Sequence, residues 1–375
     1  MKILHISEAF GGGLFEYIAQ VSNDMQKKGC EVHIAYSRRE ETPKNIEKVI
    51  EPEVMLHELK IARNISPVSD FKALIKIINL IRKLNPDVIH LHSSKTGVLG
   101  RIAALLLRKK NVFYSPHGLS FLQQDASFVK RKIYLFIERV ASSLGGTLIA
   151  CSKGELDEIN LQLKPKKSFL IENAVHIAGI QPKKSVTNNN LVRVGILGRV
   201  TFARNPAYYM QVVKTLNDKN VEFFWIGGGD EHDTIKLVRE GVNVTGWLDR
   251  KKALEYLSNI DVYIQTSLWE GMPIAVIEAQ IAGIPAVVTN VIGNRDIIIH
   301  GQTGFIANTV EEFVEHLRQL VASEELRKQM GNNARNAAIN RFSSERLVRE
   351  LLALYETGKK SNKVYGPEKT AVGHR

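Results

Sequence analysis

The feature that most constrains this 375-residue chain is a repeated alternation of short apolar runs with stretches of helical period. In the first half the apolar runs fall at 2–7, 31–36, 54–59, 87–92, 111–115, 147–151 and 168–171. Between them, as over 70–84, Phe71, Leu74, Ile75, Ile78 and Ile81 recur at helical spacing while Lys72, Lys76, Arg82 and Lys83 take other positions. Near-continuous apolar strands separated by amphipathic helices describe a parallel sheet covered on both faces. The pattern breaks into a polar stretch without period at 181–190, then resumes with strand candidates at 192–197, 222–226, 243–245, 261–265, 286–289 and 304–306. After Thr309 the chain turns fully helical through about Tyr355.

The expected fold class is therefore α/β, with two Rossmann-like doubly wound domains facing across a cleft. The boundaries read as 1–180, a linker at 181–190, a second domain at 191–341, a last helix at 342–358 packing back toward the first domain, and a polar tail at 359–375. Two domains also suit the length. Such sheets bind ligands beyond the carboxyl ends of their strands, so the cleft is the expected site.

Charge narrows the partners. Residues 1–180 carry 26 basic and 18 acidic side chains, and residues 181–375 carry 25 and 21, so the excess concentrates in the first half. A chain of net charge +12 favours anionic partners. No zinc-finger spacing, RNA-recognition signature or basic arm occurs, which argues against nucleic acid and leaves an anionic membrane surface or a phosphorylated substrate. Arg108-Lys109-Lys110 and Lys130-Arg131-Lys132 are the densest clusters, and the second opens a helix whose Ile133, Phe136, Ile137 and Val140 would form one apolar face. That face either rests at a bilayer or packs on the sheet. With no long apolar span and a strand-like amino terminus, the expected location is cytoplasmic, peripheral to the inner face of the membrane. The two cysteines, Cys30 and Cys151, offer neither a disulfide framework nor a cysteine zinc site.

The most informative segment runs from Ser267 to Ala279, following a strand and opening a helix. Pro273 suits the first helical position, and Ile274, Ile277, Glu278 and Ile281 share one stripe. A carboxylate on an apolar stripe needs hydrogen-bond donors, and a ribose diol would supply them. The helix amino terminus beside Glu270 offers amides to an anion. By spacing alone, a half-exposed helix acid and a loop acid fit as well.

With its Ser-x-x-Glu-Gly-x-Pro-x-x-x-x-Glu-Ala pattern, this segment resembles the motif of glycosyltransferase family 4, retaining enzymes of the GT-B fold. Leu197-Gly198-Arg199 with Arg204-Asn205-Pro206 is similar to the family's donor-diphosphate site, and Gly301-Gln302-Thr303-Gly304-Phe305 to a later loop. The resemblance implies that Glu270 lies near the donor sugar, that Glu278 binds the ribose, and that Gly271, Met272, Pro273 and Ile274 complete the donor site. The family usually has lysine where this chain has Arg204, which keeps the charge but prefers a planar contact. Cations at that spot would stabilise the leaving diphosphate more in the transition state than in the ground state.

In the first half, Gly11-Gly12-Gly13 follows the first strand and permits close backbone approach; the resemblance makes it a loop at the acceptor and phosphate end of the cleft. Gly227-Gly228-Gly229 is a weaker signal of the same kind. His117 ends a strand and matches a histidine beside the donor sugar, whereas His90 and His92 read equally as satisfied hydrogen-bonders. The run from His92 to Arg101 resembles family members that extend lipid-linked glycans for surface polysaccharides or glycoproteins, and Lys95 and Arg101 would meet an acceptor pyrophosphate. Asn173-Ala174-Val175 has alanine where the family often has glycine. The sequence holds no Asp-x-Asp pair, so the expectation is catalysis without metal or cofactor. The implied reaction moves a hexose or N-acetylhexosamine from a nucleotide diphosphate sugar, UDP-linked, to a lipid-linked or glycan acceptor. An epimerase, a sugar phosphorylase and a non-catalytic nucleotide-sugar-binding protein remain as alternatives.

Overall fold

The computed structural model describes residues 1–62, 66–183 and 191–359; most of the expected linker and nearly all of the tail lie outside the described residues. Seven strands form the first sheet: β1 Lys2–Ser7, β2 Glu31–Tyr36, β3 Met55–Glu58, β4 Val88–His92, β5 Val112–Ser115, β6 Thr147–Ala150 and β7 Ser168–Leu170. Their order is β3-β2-β1-β4-β5-β6-β7, all parallel. The second sheet holds β8 Val192–Leu197, β9 Val221–Ile226, β10 Asn243–Val244, β11 Val262–Gln265, β12 Ala286–Thr289 and β13 Gly304–Ala307. It runs β10-β9-β8-β11-β12-β13, again all parallel. Strand order reverses between β1 and β4 and between β8 and β11, the two switch points where such sheets open a crevice.

Alternation along β1 sorts the first core. Leu4 and Ile6 face one layer, made by Ala73, Ile77 and Ile81 of helix Pro67–Leu84, Leu99 and Ala103 of helix Ser94–Leu106, and Leu135 of helix Phe128–Ser143. Ile3 faces the other, made by Phe15, Ile18 and Val21 of helix Gly12–Lys27 and by Leu347, Val348, Leu351 and Tyr355 of helix Ser344–Lys359. The last helix is thus a core element of the first domain. The chain crosses between domains around Val175 and again at Phe342, where the Val175 amide donates to the Phe342 carbonyl at 3.0 Å. In the second domain Trp225, Val262, Ile264 and Val287 pack against Tyr209, Phe313, Leu317 and Ile277.

Two expectations change in detail. The helix read from Asp70 begins at Pro67, because proline at the first helical position costs no hydrogen bond; Asn85 ends it in the left-handed region at φ 46°. Helix Phe128–Ser143 buries Leu135, Glu138, Ala141 and Ser142, and leaves Ile133, Phe136 and Val140 of the expected apolar face exposed, with Ile137 half-buried. Phe128 and Val129 are exposed beside them.

Candidate active site

The site is built from loops at the carboxyl ends of the two switch-point strand pairs. Gly198 closes β8 at φ 145°, and a β-carbon there would lie 2.9 Å from the Arg204 guanidinium carbon, so only glycine lets Arg204 fold over the strand end. Arg204 donates to the Leu197 carbonyl at 3.2 Å and sits 3.6 Å from Glu270 Oε1. That same carboxylate oxygen accepts from Gln265 Nε2 at 2.9 Å and from Ser267 Oγ at 2.8 Å. Gln265 is held in turn by the Tyr263 hydroxyl at 2.8 Å. Period 2 at the end of β11 places Tyr263, Gln265 and Ser267 on one side, a signal present in the sequence and not used above.

Glu278 lies on helix Ile274–Ala282 at 2% exposure, and Arg250 donates to it at 2.5 Å. The donors that an acid on an apolar stripe requires thus come from a residue 28 positions earlier in the chain. Arg250 also lies 3.3 Å from Glu16 on the first domain. Burial raises the Glu16 carboxyl above its ordinary range, while Glu278 beside Arg250 raises the guanidinium further. Pro273 is the cap residue rather than the first helical one, with the helix starting at Ile274. Met272 is buried, and its carbonyl accepts from Asn173 Nδ2 at 2.9 Å, tying the loop before helix Ile274–Ala282 to the segment where the chain crosses between domains.

From the first domain, the glycine loop meets this side closely. A β-carbon on Gly12 would lie 4.0 Å from Arg199 Nε, and one on Gly13 would lie 3.8 Å from Ile274. Gly11 packs against Glu41, which pairs with Arg199 at 2.5 Å across the cleft. His117 adopts φ 55°, and its backbone abuts Gly271, where a β-carbon would fall 2.9 Å from the His117 carbonyl carbon. Burial pushes its imidazole down to about 3, so the ring is neutral at physiological pH. Gly198, Arg199, Arg204, Glu270, Gly271, Ile274, Glu278, His117 and Gly11–Gly13 therefore converge on one cleft.

Arg101 does not reach the cleft. Arg101 is buried at 1% exposure, pairs with Glu138 at 2.9 Å, donates from Nε to the Gly97 carbonyl at 2.7 Å and stacks 4.5 Å over Tyr114. It is a core ion pair, not a cleft residue, because its helix turns Gly97, Gly100 and Arg101 toward the sheet together. Lys95 pairs with Asp70 at 2.7 Å on the neighbouring helix. Sequence reasoning missed Glu16, Glu41 and Arg250, whose partners are distant in the chain.

A row of imidazoles lies behind His117. His92 Nδ1 is 3.0 Å from His117 Nε2, and His92 Nε2 is 3.0 Å from His5 Nδ1. His90 is spent on the Tyr355 hydroxyl at 2.6 Å and Ser115 Oγ at 2.8 Å. The ring nitrogens of His5, His90 and His92 lie within 4.8 Å of one another, close enough to share a metal ion, but each ring is already hydrogen-bonded within this network.

Two parallel-sheet domains with acids, arginines and a histidine converging on their cleft have the architecture of a GT-B enzyme. Residues 179–337 match the family described as Glycosyl transferases group 1, and residues 11–178 match Glycosyltransferase Family 4. The chain is 31% identical over 320 residues to the UDP-Gal:alpha-D-GlcNAc-diphosphoundecaprenol alpha-1,3-galactosyltransferase of Escherichia coli, covering 79% of this chain and 81% of that protein. It is 28% identical over 357 residues to the capsular polysaccharide biosynthesis glycosyltransferase CapM of Staphylococcus aureus, covering 89% and 91%. Among solved structures it superposes on sucrose-phosphate synthase from Thermosynechococcus elongatus with a TM-score of 0.81 at 18% identity, over 95% and 98% of the chains. Anabaena HepE in complex with UDP and glucose gives 0.78 at 15% identity, over 95% and 100%. The chain belongs to glycosyltransferase family 4. It is a glycosyltransferase, and the epimerase, phosphorylase and non-catalytic readings fall away.

Proposed function

We propose that this enzyme moves a hexose or N-acetylhexosamine from a UDP-linked donor to a lipid-pyrophosphate-linked glycan, keeping the donor's anomeric configuration and using no metal. The observation that carries this is the placement of Arg204 3.6 Å from Glu270, with Arg199 and the Arg250-paired Glu278 on the same side of the cleft, opposite the Gly11–Gly13 loop and His117. As the bond between anomeric carbon and diphosphate oxygen breaks, negative charge gathers on the leaving group. Two guanidiniums held there stabilise that charge without a divalent ion. Glu270, fixed by Gln265 and Ser267, holds the sugar; Glu278 takes the ribose hydroxyls in place of Arg250. The 31% identical relative is named for a UDP-galactose donor and an α-GlcNAc-diphospholipid acceptor, which sets the first substrates to try.

The membrane is the second part of the reading. Phe128, Val129, Ile133, Phe136 and Val140 project from the helix that carries Lys130, Arg131 and Lys132. Val68, Phe71 and Ile75 project from helix Pro67–Leu84 in the same layer, with helix Ser94–Leu106 between the two. Apolar side chains ringed by cations fit an anionic bilayer surface, where a lipid-linked acceptor resides. No helix among the described residues is long and apolar enough to cross a membrane.

The test is transfer from radiolabelled UDP-galactose, UDP-glucose and UDP-N-acetylhexosamines to GlcNAc-diphospholipid, with and without chelator, and NMR of the new anomeric proton. Turnover unchanged by chelator and an α product from an α donor are expected. Glu270→Ala and Glu278→Ala should each lose at least about a hundredfold in turnover while remaining folded. A strict divalent requirement or a β product overturns the reading.

A further inference from the structure

The row His5–His92–His117 has a direction. A neutral imidazole carries one N–H and one lone-pair nitrogen, so three neutral rings joined nitrogen to nitrogen must all point their protons the same way. Burial holds His5 at about 3 and His92 well below its ordinary value, which keeps every ring neutral. The inner end of the row is His5 Nε2, which is buried and has no partner. If the protons pointed inward, that atom would be an N–H stranded in the core, a rarer and costlier orphan than an unused lone pair. The favoured direction therefore puts a lone pair at His5 Nε2, a proton on His5 Nδ1 and a proton on His92 Nδ1. His117 then accepts at Nε2 and carries its own proton on Nδ1, the remaining ring nitrogen and the outer end of the row.

We propose that His92 and His5 are positioning residues that lock His117 as the Nδ1–H tautomer, presenting a fixed hydrogen-bond donor to an oxygen of the donor sugar. The fold supplies the row. β1 and β4 pair in register with His5 opposite His90 and Ser7 opposite His92, so His5 and His92 share one face of the sheet. His117 follows β5, where its left-handed backbone beside Gly271 brings the ring back over the end of β4. A fixed donor contributes more than a ring free to rotate its proton between nitrogens, because the sugar then need not select a tautomer. The role at the sugar rests on the functional reading above; the tautomer does not.

The test is histidine-selective ¹⁵N NMR of the full chain without ligand, alongside calorimetric binding of UDP and of UDP-galactose. In wild type, His117 should show a protonated Nδ1 and a bare Nε2. In His92→Phe, UDP-galactose should bind about three- to tenfold more weakly with UDP affinity unchanged, since UDP lacks the sugar. His92→Asn, whose side-chain amide can still donate to His117 Nε2, should restore most of the loss. Should His92→Phe not fold, His92→Leu removes the same donor to His117 Nε2 and should leave His117 a mixture of tautomers. A protonated Nε2 on wild-type His117 overturns the proposal, as does equal weakening of UDP and UDP-galactose in folded variants. Wild-type protein that shows the expected tautomer but binds no nucleotide sugar would sink the functional reading and with it the sugar contact, leaving the lock itself.

Discussion

Arg101 shows how a residue can carry the right charge for one role and serve another. Gly97 and Gly100 mark the side of its helix that packs tightly, since β-carbons there would lie 2.4 Å from Tyr114 and 2.2 Å from Leu91. Arg101 follows Gly97 by four residues, so helical phase alone places it on the buried side. The pair with Glu138 predicts a stability defect and no substrate defect. Arg101→Ala should cost about 3–5 kcal/mol in denaturant unfolding, because Glu138 is left buried and unpaired, while the surviving folded enzyme keeps its acceptor KM. A raised acceptor KM at unchanged stability would return Arg101 to the cleft. The buried histidines make a second claim at this scale. Burial keeps His5, His90 and His92 neutral when folded, His5 down to about 3, whereas unfolded histidine protonates near its ordinary value of about 6.5. Between those values the unfolded chain binds more protons, so stability falls as pH drops below about 6.5, by up to about 1.4 kcal/mol per ring per pH unit. Thermal melts from pH 7.5 to 5 should show Tm falling, with a shallower fall in His5→Phe. A flat profile would mean that these rings titrate normally.

Among the elements, the strands were legible because each is a short apolar run, buried along nearly its whole length in central strands such as β1, β4, β11 and β12, a pattern that survives without any alignment. β3 and β10, each at one edge of its sheet, come out shorter than their apolar runs. Helix Phe128–Ser143 was harder, because its period admits two apolar faces: Leu135 and Ala141 on one, Ile133, Phe136 and Val140 on the other. The sequence singled out the second face and left open whether it packs on the sheet or rests at a bilayer; packing of Leu135 against the first domain's core shows that the sheet takes the first. The exposed face then predicts reversible docking. Liposome co-sedimentation should show binding to anionic but not neutral vesicles, lost in high salt. Replacing Lys130, Arg131 and Lys132 by glutamine should weaken it about a hundredfold, at about 1 kcal/mol for each basic residue. Equal binding to neutral vesicles would leave the apolar face without this role.

For the molecule as a whole, the site is assembled from pairs that no local pattern links. Glu41 meets Arg199 and Glu16 meets Arg250, each joining the first domain to an arginine on the second domain's side of the cleft. The motif residues were readable because they cluster within short segments. Their partners were not, since acids scattered along the first domain look alike until the fold aims two of them across the cleft. A donor diphosphate competes with Glu41 for Arg199, so Glu41→Gln should lower the donor KM by about two- to fivefold at low ionic strength. The difference from wild type should shrink as salt is added. An unchanged or raised KM would mean that Glu41 helps to hold the donor instead.

The return of helix Ser344–Lys359 to the first domain has a consequence for how the protein is made. A ribosome delivers β1–β7 first, yet Leu347, Val348, Leu351 and Tyr355, which cover one face of that sheet, emerge only after the whole second domain. Domains usually fold in the order of synthesis, as separate units. Here the earlier one lacks part of its cover over Ile3, Val32 and Val88 until helix Ser344–Lys359 has been made. The first half of the enzyme is therefore completed only after the second, and the buried His90–Tyr355 contact is among the latest to form.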